Sequence, residues 1–205
     1  MTSTAAIIFW RPVGCFGSMF NRFVSKLSIP STNDRFCHAE VQFTLKKHEW
    51  FKSLAKFEAS SIVGQRAKNL SIKLKTVLKD IPDHTKIPLV FYILWGEQVT
   101  VRMLTLTNVY EFNRTPNHTS AAIVPLQLDD NQRHCCLAFC ISQLGKSYNR
   151  IGAMFYWCPR PYYSTHLPSQ FFCSELLVIM LQTAGMLQGQ HAERICPNRL
   201  FELLN

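Results

Sequence analysis

The sequence predicts an α+β protein, in which most strand patterns precede the helix patterns near the C-terminus. The clearest strand pattern is CHAEVQFTL, at residues 37–45, where apolar and polar residues alternate strictly. The clearest helix pattern begins at Cys173, from which apolar residues recur three, four, seven and eight positions further on. Runs of strands followed by helices are typical of the α+β class.

Length and composition indicate one domain that spans residues 1–205. Of the 205 residues, 47% are hydrophobic and 17% are charged, which is enough apolar material for one substantial core. No apolar stretch reaches the roughly 18 residues of a membrane span, and MTSTAAIIFWRP lacks the features of a secretory signal. We therefore expect the eight cysteines to be reduced thiols in an intracellular compartment.

The net charge is +9, and Lys and Arg are concentrated between residues 46 and 79. Nucleic acid or an anionic membrane surface would be a suitable partner for such a basic face. A solvated basic face is the plainer interpretation, because no zinc-finger, helix-turn-helix or RNP pattern accompanies the charge.

The strand predictions rest on alternation, or on short apolar runs between turn residues. AAIIFW, at 5–10, is such a run. LAKFEAS, at 54–60, alternates like the strand at 37–45 and places Glu58 on its polar face. Further predicted strands are 70–78, 89–96, 98–106 and 121–126.

Four helices are predicted from helical spacing and from their end signals. Segment 14–27 has apolar residues at helical intervals, and 129–145 has an acidic first turn and a terminal glycine. Segment 169–184 is followed by a glycine, and the closing segment CPNRLFELLN begins with a proline near its first turn.

Cys173 is a candidate nucleophile because of its place in the predicted helix. It lies at the N-terminal end of the apolar stripe, where unpaired N–H groups and the helix dipole stabilise a thiolate and lower the thiol pKa. The same N–H groups could hydrogen-bond a developing oxyanion. A packed core cysteine explains the same pattern, since buried cysteine is common.

A nucleophilic cysteine needs a base, and the base needs an acceptor that orients it. His38 lies on the polar face of the strand at 37–45, and Glu40 lies two residues further along the same face. Glu58 shares that face if the strand at 54–60 pairs beside it. Taken alone, a strand histidine is more often a solvated or hydrogen-bonded structural residue, and each glutamate alone is an ordinary surface charge.

Several stretches together support a family resemblance. RFCHAEVQF, KFEASSIVG, LGKSYN and QFFCSELLVIMLQTAG, with AAIIFWRP before them and CPNRLFELL after them, follow one another along the chain. Their order resembles the circularly permuted branch of the NlpC/P60 superfamily of papain-like cysteine hydrolases, in which the histidine strand precedes the cysteine helix. The resemblance covers nearly the whole chain except about 66–120, which we expect to be a lineage-specific sheet extension.

The resemblance implies a papain-like fold in which an antiparallel sheet packs against the nucleophile helix. It implies Cys173 as nucleophile, His38 as general base and then acid, and Glu58 as the residue that orients the histidine. Glu40 is the alternative orienter, because it lies on the same strand face as His38. Similar permuted domains occur in bacteria and in large DNA viruses, including a poxvirus group, so a host cell or virion is an expected location if the protein is viral.

The implied reaction proceeds through a thioester on an amide or ester substrate, such as a peptide, a lipid or a peptidoglycan-like molecule, and needs no cofactor. Tyr148 and Ser174 are candidate oxyanion or substrate contacts. Two other functions fit parts of the sequence. One is a catalytically inactive domain of the same fold that binds an anionic partner. The other is a zinc site formed by His134, Cys135, Cys136 and Cys140. The sequence has no Cys-x-x-Cys pair to support such a site.

Overall fold

A five-stranded antiparallel sheet with helices packed against it makes the protein α+β, as the sequence predicts. The computed structural model describes residues 5–12, 36, 38–59, 63–94, 97–103, 118–155 and 170–205. The predicted helix at 14–27 and the first residue of the predicted strand at 37–45 lie outside these described residues.

The main sheet has the strand order β4-β3-β2-β1-β5, and its neighbours pair antiparallel. The strands are β1 Ala5–Pro12, β2 His38–Lys46, β3 Lys86–Tyr92, β4 Thr100–Met103 and β5 His118–Leu126. Two short strands, β6 Ser147–Tyr148 and β7 Gln170–Phe171, pair in parallel beside it. The helices are α1 Lys47–Glu58, α2 Gly64–Val77, α3 Asp130–Gln143, α4 Arg150–Phe155, α5 Cys173–Thr183 and α6 Pro197–Leu204, with a 3₁₀ turn at Ala192–Arg194.

Strand β2 lies in the middle of the sheet, and it shows the alternation that the sequence predicts. Val41 and Phe43 belong to the main core, and His38 and Glu40 project from the opposite face because side chains alternate along a strand. That second face is also buried, since Trp10 of β1 lies directly across from His38 and is itself 2% exposed. His38 and Glu40 are therefore enclosed rather than solvated, whereas Gln42 and Thr44 further along β2 are half-buried.

The predicted strand at 54–60 is wrong, because residues 54–58 belong to helix α1. The residues that α1 buries are Trp50, Leu54 and Phe57, which recur at helical intervals of four and three. Ala55, which a strand would have buried, is exposed. Glu58 is consequently the last residue of a helix and is exposed to solvent, not a neighbour of His38 on a shared sheet face.

The predicted strand at 70–78 is also wrong, because most of it lies in helix α2. Leu70, Ile72 and Leu74 alternate in the sequence and so resemble a strand, but Leu70 and Leu74 are also one helical turn apart. The helix buries these two leucines and leaves Ile72 56% exposed. The expected sheet extension at 66–120 therefore begins with a helix. Strands β3 and β4 of that region do widen the sheet beyond β2.

Helix α5 packs against β2 and is apolar on nearly all sides, as its continuous hydrophobic run requires. Its buried side chains include Leu177, Val178, Met180 and Leu181, which join the main core. This burial fixes the N-terminus of α5 relative to the start of β2. Among the described residues, no helix is both long and apolar enough to cross a membrane.

Candidate active site

The first residue of α5 and the first residue of β2 meet at one end of the sheet. Cys173 begins α5, and the residues after it hold the helix start in place. The Glu175 carboxylate accepts a hydrogen bond from the Phe172 backbone N–H at 3.2 Å, which satisfies a donor at the helix N-terminus. The Ser174 hydroxyl donates to the Ile195 carbonyl at 2.6 Å and ties the helix start to the turn that precedes α6.

The Cys173 thiol and the His38 imidazole form a side-chain hydrogen bond. The Nε2 atom of the same ring lies 3.1 Å from Oε1 of Glu40. Because an imidazole has only two ring nitrogens, we infer that Nδ1 faces the thiol. Cys173, His38 and Glu40 thus form a chain of sulfur, imidazole and carboxylate, which we call the triad.

The electrostatics of this chain favour a thiolate and an imidazolium. Burial raises the pKa of the Cys173 thiol, but its hydrogen bond and charge interaction with His38 outweigh burial, and the net pKa is below the usual value. Burial also lowers the pKa of His38, yet its contacts with Cys173 and Glu40 raise the net pKa to about 9. Backbone hydrogen bonds from Ala39 and Ser174 further stabilise the thiolate.

Glu40 is fully buried and is held between two cationic groups. Its second oxygen, Oε2, accepts a hydrogen bond from Nη2 of Arg102 at 2.8 Å, while Oε1 faces His38. Burial raises the pKa of this carboxyl, but His38 and Arg102 together hold it below its ordinary value. The guanidinium in turn lies over the Tyr92 ring, 4.5 Å from its centroid.

The structure brings together four of the six predicted site residues. Cys173, His38 and Glu40 are in contact, and Ser174 contributes its backbone N–H to the thiolate while its hydroxyl is bonded elsewhere. Glu58 is not brought to the site, because it ends α1 on the exposed surface.

Tyr148 lies close to the three residues Cys173, His38 and Glu40. It packs against the apolar cluster that contains Cys173 and Phe171, and against a second cluster that contains Phe172. Its backbone N–H donates to the carbonyl of Glu97 at 3.0 Å. The Tyr148 side chain therefore packs beside the cluster that contains Cys173.

Arg102 is the site residue that the sequence pattern did not reveal. It lies in the predicted strand at 98–106, where a charged residue between Val101 and Met103 resembles an ordinary solvent-facing position. The register places Arg102 opposite Val90 in β3, and its side chain reaches across to Glu40. The sequence signal for Arg102 is an arginine that alternates with apolar neighbours. It points to Glu40 only when the strand order β4-β3-β2 is known.

Cys136 and Cys140, two of the three cysteines proposed for zinc, are buried in the core. Among the described residues, no group of three or more His, Cys, Asp or Glu side chains is placed to hold a metal. Burial raises the pKa of Cys136 to about 12 and that of Cys140 well above its usual value, which disfavours the thiolates that zinc requires. His134 stacks on Phe57, with ring centroids 4.7 Å apart.

Comparison with known proteins found no matching family model, no matching curated protein and no matching solved structure.

Replacing Arg102 with methionine is expected to lower the free energy of unfolding by about 2 kcal/mol, because Glu40 loses a buried charged partner. Urea denaturation monitored by tryptophan fluorescence measures this loss. The matched control is Arg199→Met, which removes a salt bridge to Glu202 from an arginine whose side chain is 56% exposed and should cost under about 1 kcal/mol. Equal losses in the two variants would contradict a structural role for the pair of Arg102 and Glu40.

Proposed function

We propose that the protein is a cysteine hydrolase or acyltransferase that acts on an amide or ester through a thioester intermediate. The observation that supports this proposal is the buried chain of Cys173, His38 and Glu40, in which the cysteine starts a helix. A nucleophile, a base and an orienting acceptor in mutual contact are the parts that covalent catalysis needs. Glu40 replaces Glu58 in the orienting role.

The reaction follows from the protonation states of the pair. The Cys173 thiolate attacks the acyl carbon, and the His38 imidazolium gives its proton to the departing amine or alcohol, which leaves a thioester and a neutral imidazole. The imidazole then takes a proton from water or from an acceptor alcohol or amine, which attacks the thioester and releases the thiolate. In this proposal a backbone N–H group at the start of α5 stabilises the developing oxyanion, since a helix N-terminus favours negative charge.

We further propose that the fold is the permuted papain-like NlpC/P60 arrangement. An antiparallel sheet packed against the cysteine helix, with the histidine on the first position of a central strand, supports this assignment. The order of strand β1, histidine strand β2, cysteine helix α5 and closing helix α6 along the chain supports it as well.

Alkylation of Cys173 by iodoacetamide tests the proposed nucleophile. At pH 6 the wild-type thiol should react at least about tenfold faster than the same thiol in a His38→Gln variant, since only the former is held as a thiolate. Cys135, which is partly exposed and free, serves as an internal reference in both proteins.

Because Cys173 is only 5% exposed, slow entry of the reagent must be separated from low thiolate content. The ultraviolet absorbance of the thiolate, taken as the difference between wild type and Cys173→Ala, provides that separation. Absence of this absorbance near neutral pH would contradict the proposed nucleophile whatever the alkylation rate.

A second candidate function, in which the same fold binds an anionic partner without chemistry, is favoured by the exposed face of α2. Lys68 and Lys75 are exposed on it, and the exposed Ile72 lies between them in the sequence. Binding to nucleic acid or to anionic vesicles that falls steeply with salt and is unchanged in Cys173→Ala would favour this function over catalysis.

A further inference from the structure

An open cavity of about 870 Å³ lies between helix α2 and the edge strand β4. Neither Cys173 nor His38 nor Glu40 lines it. The volume is within the range of about 300–1,000 Å³ that is usual for sites that take small molecules. The cavity is thus distinct from the group of Cys173, His38 and Glu40.

Two cationic side chains from one face of α2 line the cavity. Arg66 and Lys73 are seven residues apart, so both point to the same side of the helix. Nε of Arg66 donates to the Leu144 carbonyl at 2.8 Å, which anchors the guanidinium and leaves its two terminal nitrogens as further donors. No carboxylate among the described residues forms a salt bridge with Arg66 or Lys73.

A third cation, Lys146, lies close to Arg66. The pKa of Lys146 is lowered by burial and by the positive charge of Arg66, which places the two side chains near each other. Glu97 also lines the cavity, but it does not balance three positive charges. An excess of like charges is unfavourable in the empty site, and an anion that binds between them relieves the repulsion.

The rest of the lining combines uncharged donors with apolar walls. The Asn69 side-chain carbonyl accepts a hydrogen bond from Gln65 at 2.9 Å, so its N–H₂ group remains as a donor at the cavity. Gln98 adds a second amide. Apolar surface comes from Leu70 and Val101, which line the cavity and are buried or half-buried.

We propose that this cavity binds a small molecule, or the end of a larger one, that joins an anionic oxygen group to an apolar body. The anionic group, a phosphate or a carboxylate, pairs with Arg66 and Lys73, and the apolar body packs against Leu70 and Val101. An anchored arginine with a nearby lysine and amide donors is a recurring arrangement for such groups.

The cavity lies beside the elements that support the triad. Tyr92 lines it and also stacks under the guanidinium of Arg102, which holds Glu40. Val99 lines it too, and belongs to the apolar cluster that contains Cys173. A ligand here would therefore contact the supporting residues of the triad without touching its reacting atoms.

Isothermal titration calorimetry of the full chain with phenyl phosphate tests the proposal. Lys73→Met should weaken binding about tenfold, because one charge-assisted contact is lost. Lys75→Met is the matched control: it removes the same charge from an exposed position on the same helix that does not line the cavity, and it should leave the affinity within about twofold. Arg66→Met should weaken binding at least as much as Lys73→Met.

Phenol and benzoate complete the titration. Phenol keeps the apolar ring without the anion and should bind at least about tenfold more weakly than phenyl phosphate, while the ratio of phenyl phosphate to benzoate affinity identifies the preferred anion. Equal effects of Lys73→Met and Lys75→Met, or equal binding of phenol and phenyl phosphate, would overturn the proposal. Repeating the titration in Cys173→Ala makes the result independent of the proposed catalysis, because the cavity does not include that residue.

Discussion

Replacing Glu40 with glutamine is expected to lower the free energy of unfolding by about 3–5 kcal/mol, because it leaves two buried cationic groups without their shared anion. Glu40 has no exposed surface, and its two oxygens are bonded to His38 at 3.1 Å and to Arg102 at 2.8 Å. An amide fills the same volume but carries no charge. Urea denaturation of the two proteins at neutral pH measures the loss.

The same substitution is expected to slow the alkylation of Cys173 near pH 6 by about tenfold or more. Burial disfavours the protonated His38 ring, and Glu40 is one of the two partners that oppose this effect. Without Glu40 the imidazolium is less stable, so the thiolate beside it is less populated. The measurement is the iodoacetamide rate under conditions in which the Glu40→Gln protein is fully folded, as judged by circular dichroism.

Glu58→Gln is the matched control, and it decides between the two carboxylates that the sequence offered as orienters. Glu58 is exposed at the end of α1, so its replacement should change the free energy of unfolding by no more than about 0.5 kcal/mol and should leave the alkylation rate unchanged. A loss of Cys173 reactivity in Glu58→Gln together with normal reactivity in Glu40→Gln would reverse the assignment.

The choice between Glu40 and Glu58 shows how far the sequence predicts the site. The alternation in β2 predicts that His38 and Glu40 share a face, because that depends only on the period of a strand. The placement of Glu58 required a second strand and its register, and neither follows from local alternation. Residues 54–58 are helical because Trp50, Leu54 and Phe57 are buried together, and that spacing outweighs the short alternation of KFEAS.

The fold is predictable from the sequence where the apolar residues can be buried by a helix or by a strand, but not by both. β1 and α5 are apolar along nearly their whole length, and both were predicted as the elements they form. In α2, Leu70 and Leu74 satisfy a strand period and a helix period alike, so the sequence pattern does not separate the two. Packing separates them, because α2 and α1 contact each other over the sheet.

The network behind the triad was the least predictable part, since it joins residues that are far apart in the chain. Arg102 and Glu40 are 62 positions apart, and they meet only because β3 lies between their strands in the order β4-β3-β2. Asn198 shows the same dependence on topology: its side-chain oxygen accepts a hydrogen bond from the backbone N–H of Phe36, 162 positions away, and so links α6 to the chain just before β2. Local patterns contain no information about either contact.

The protonation of His38 is expected to have a midpoint near pH 9 in the wild-type protein and a clearly lower one in Cys173→Ala. In the variant the ring is still buried, which lowers its pKa, but the thiolate that raises it is gone, and only Glu40 remains as an anionic partner. Nuclear magnetic resonance of the imidazole C–H groups as a function of pH measures both midpoints. Cys135→Ala, which removes a partly exposed thiol outside the site, should keep the wild-type midpoint.

The raised pKa of His38 also determines how the stability of the protein, and the rate of the proposed reaction, should depend on pH. The ordinary pKa of 6.5 applies to the unfolded chain and about 9 to the folded one, so the folded protein binds the extra proton between these values. The stabilisation from His38 is therefore fully present below about pH 6.5 and is lost as the pH rises through about 9.

The contribution of the Cys173 thiolate to stability depends on pH in the opposite direction, because its pKa is lowered on folding. This contribution is lost as the pH falls through the folded pKa. The proposed reaction needs both charged forms, so its rate should be highest in the range between the lowered pKa of Cys173 and about pH 9. Identical His38 midpoints in wild type and Cys173→Ala would show that the thiol and the imidazole do not interact. That result would contradict the proposed catalytic pair of Cys173 and His38.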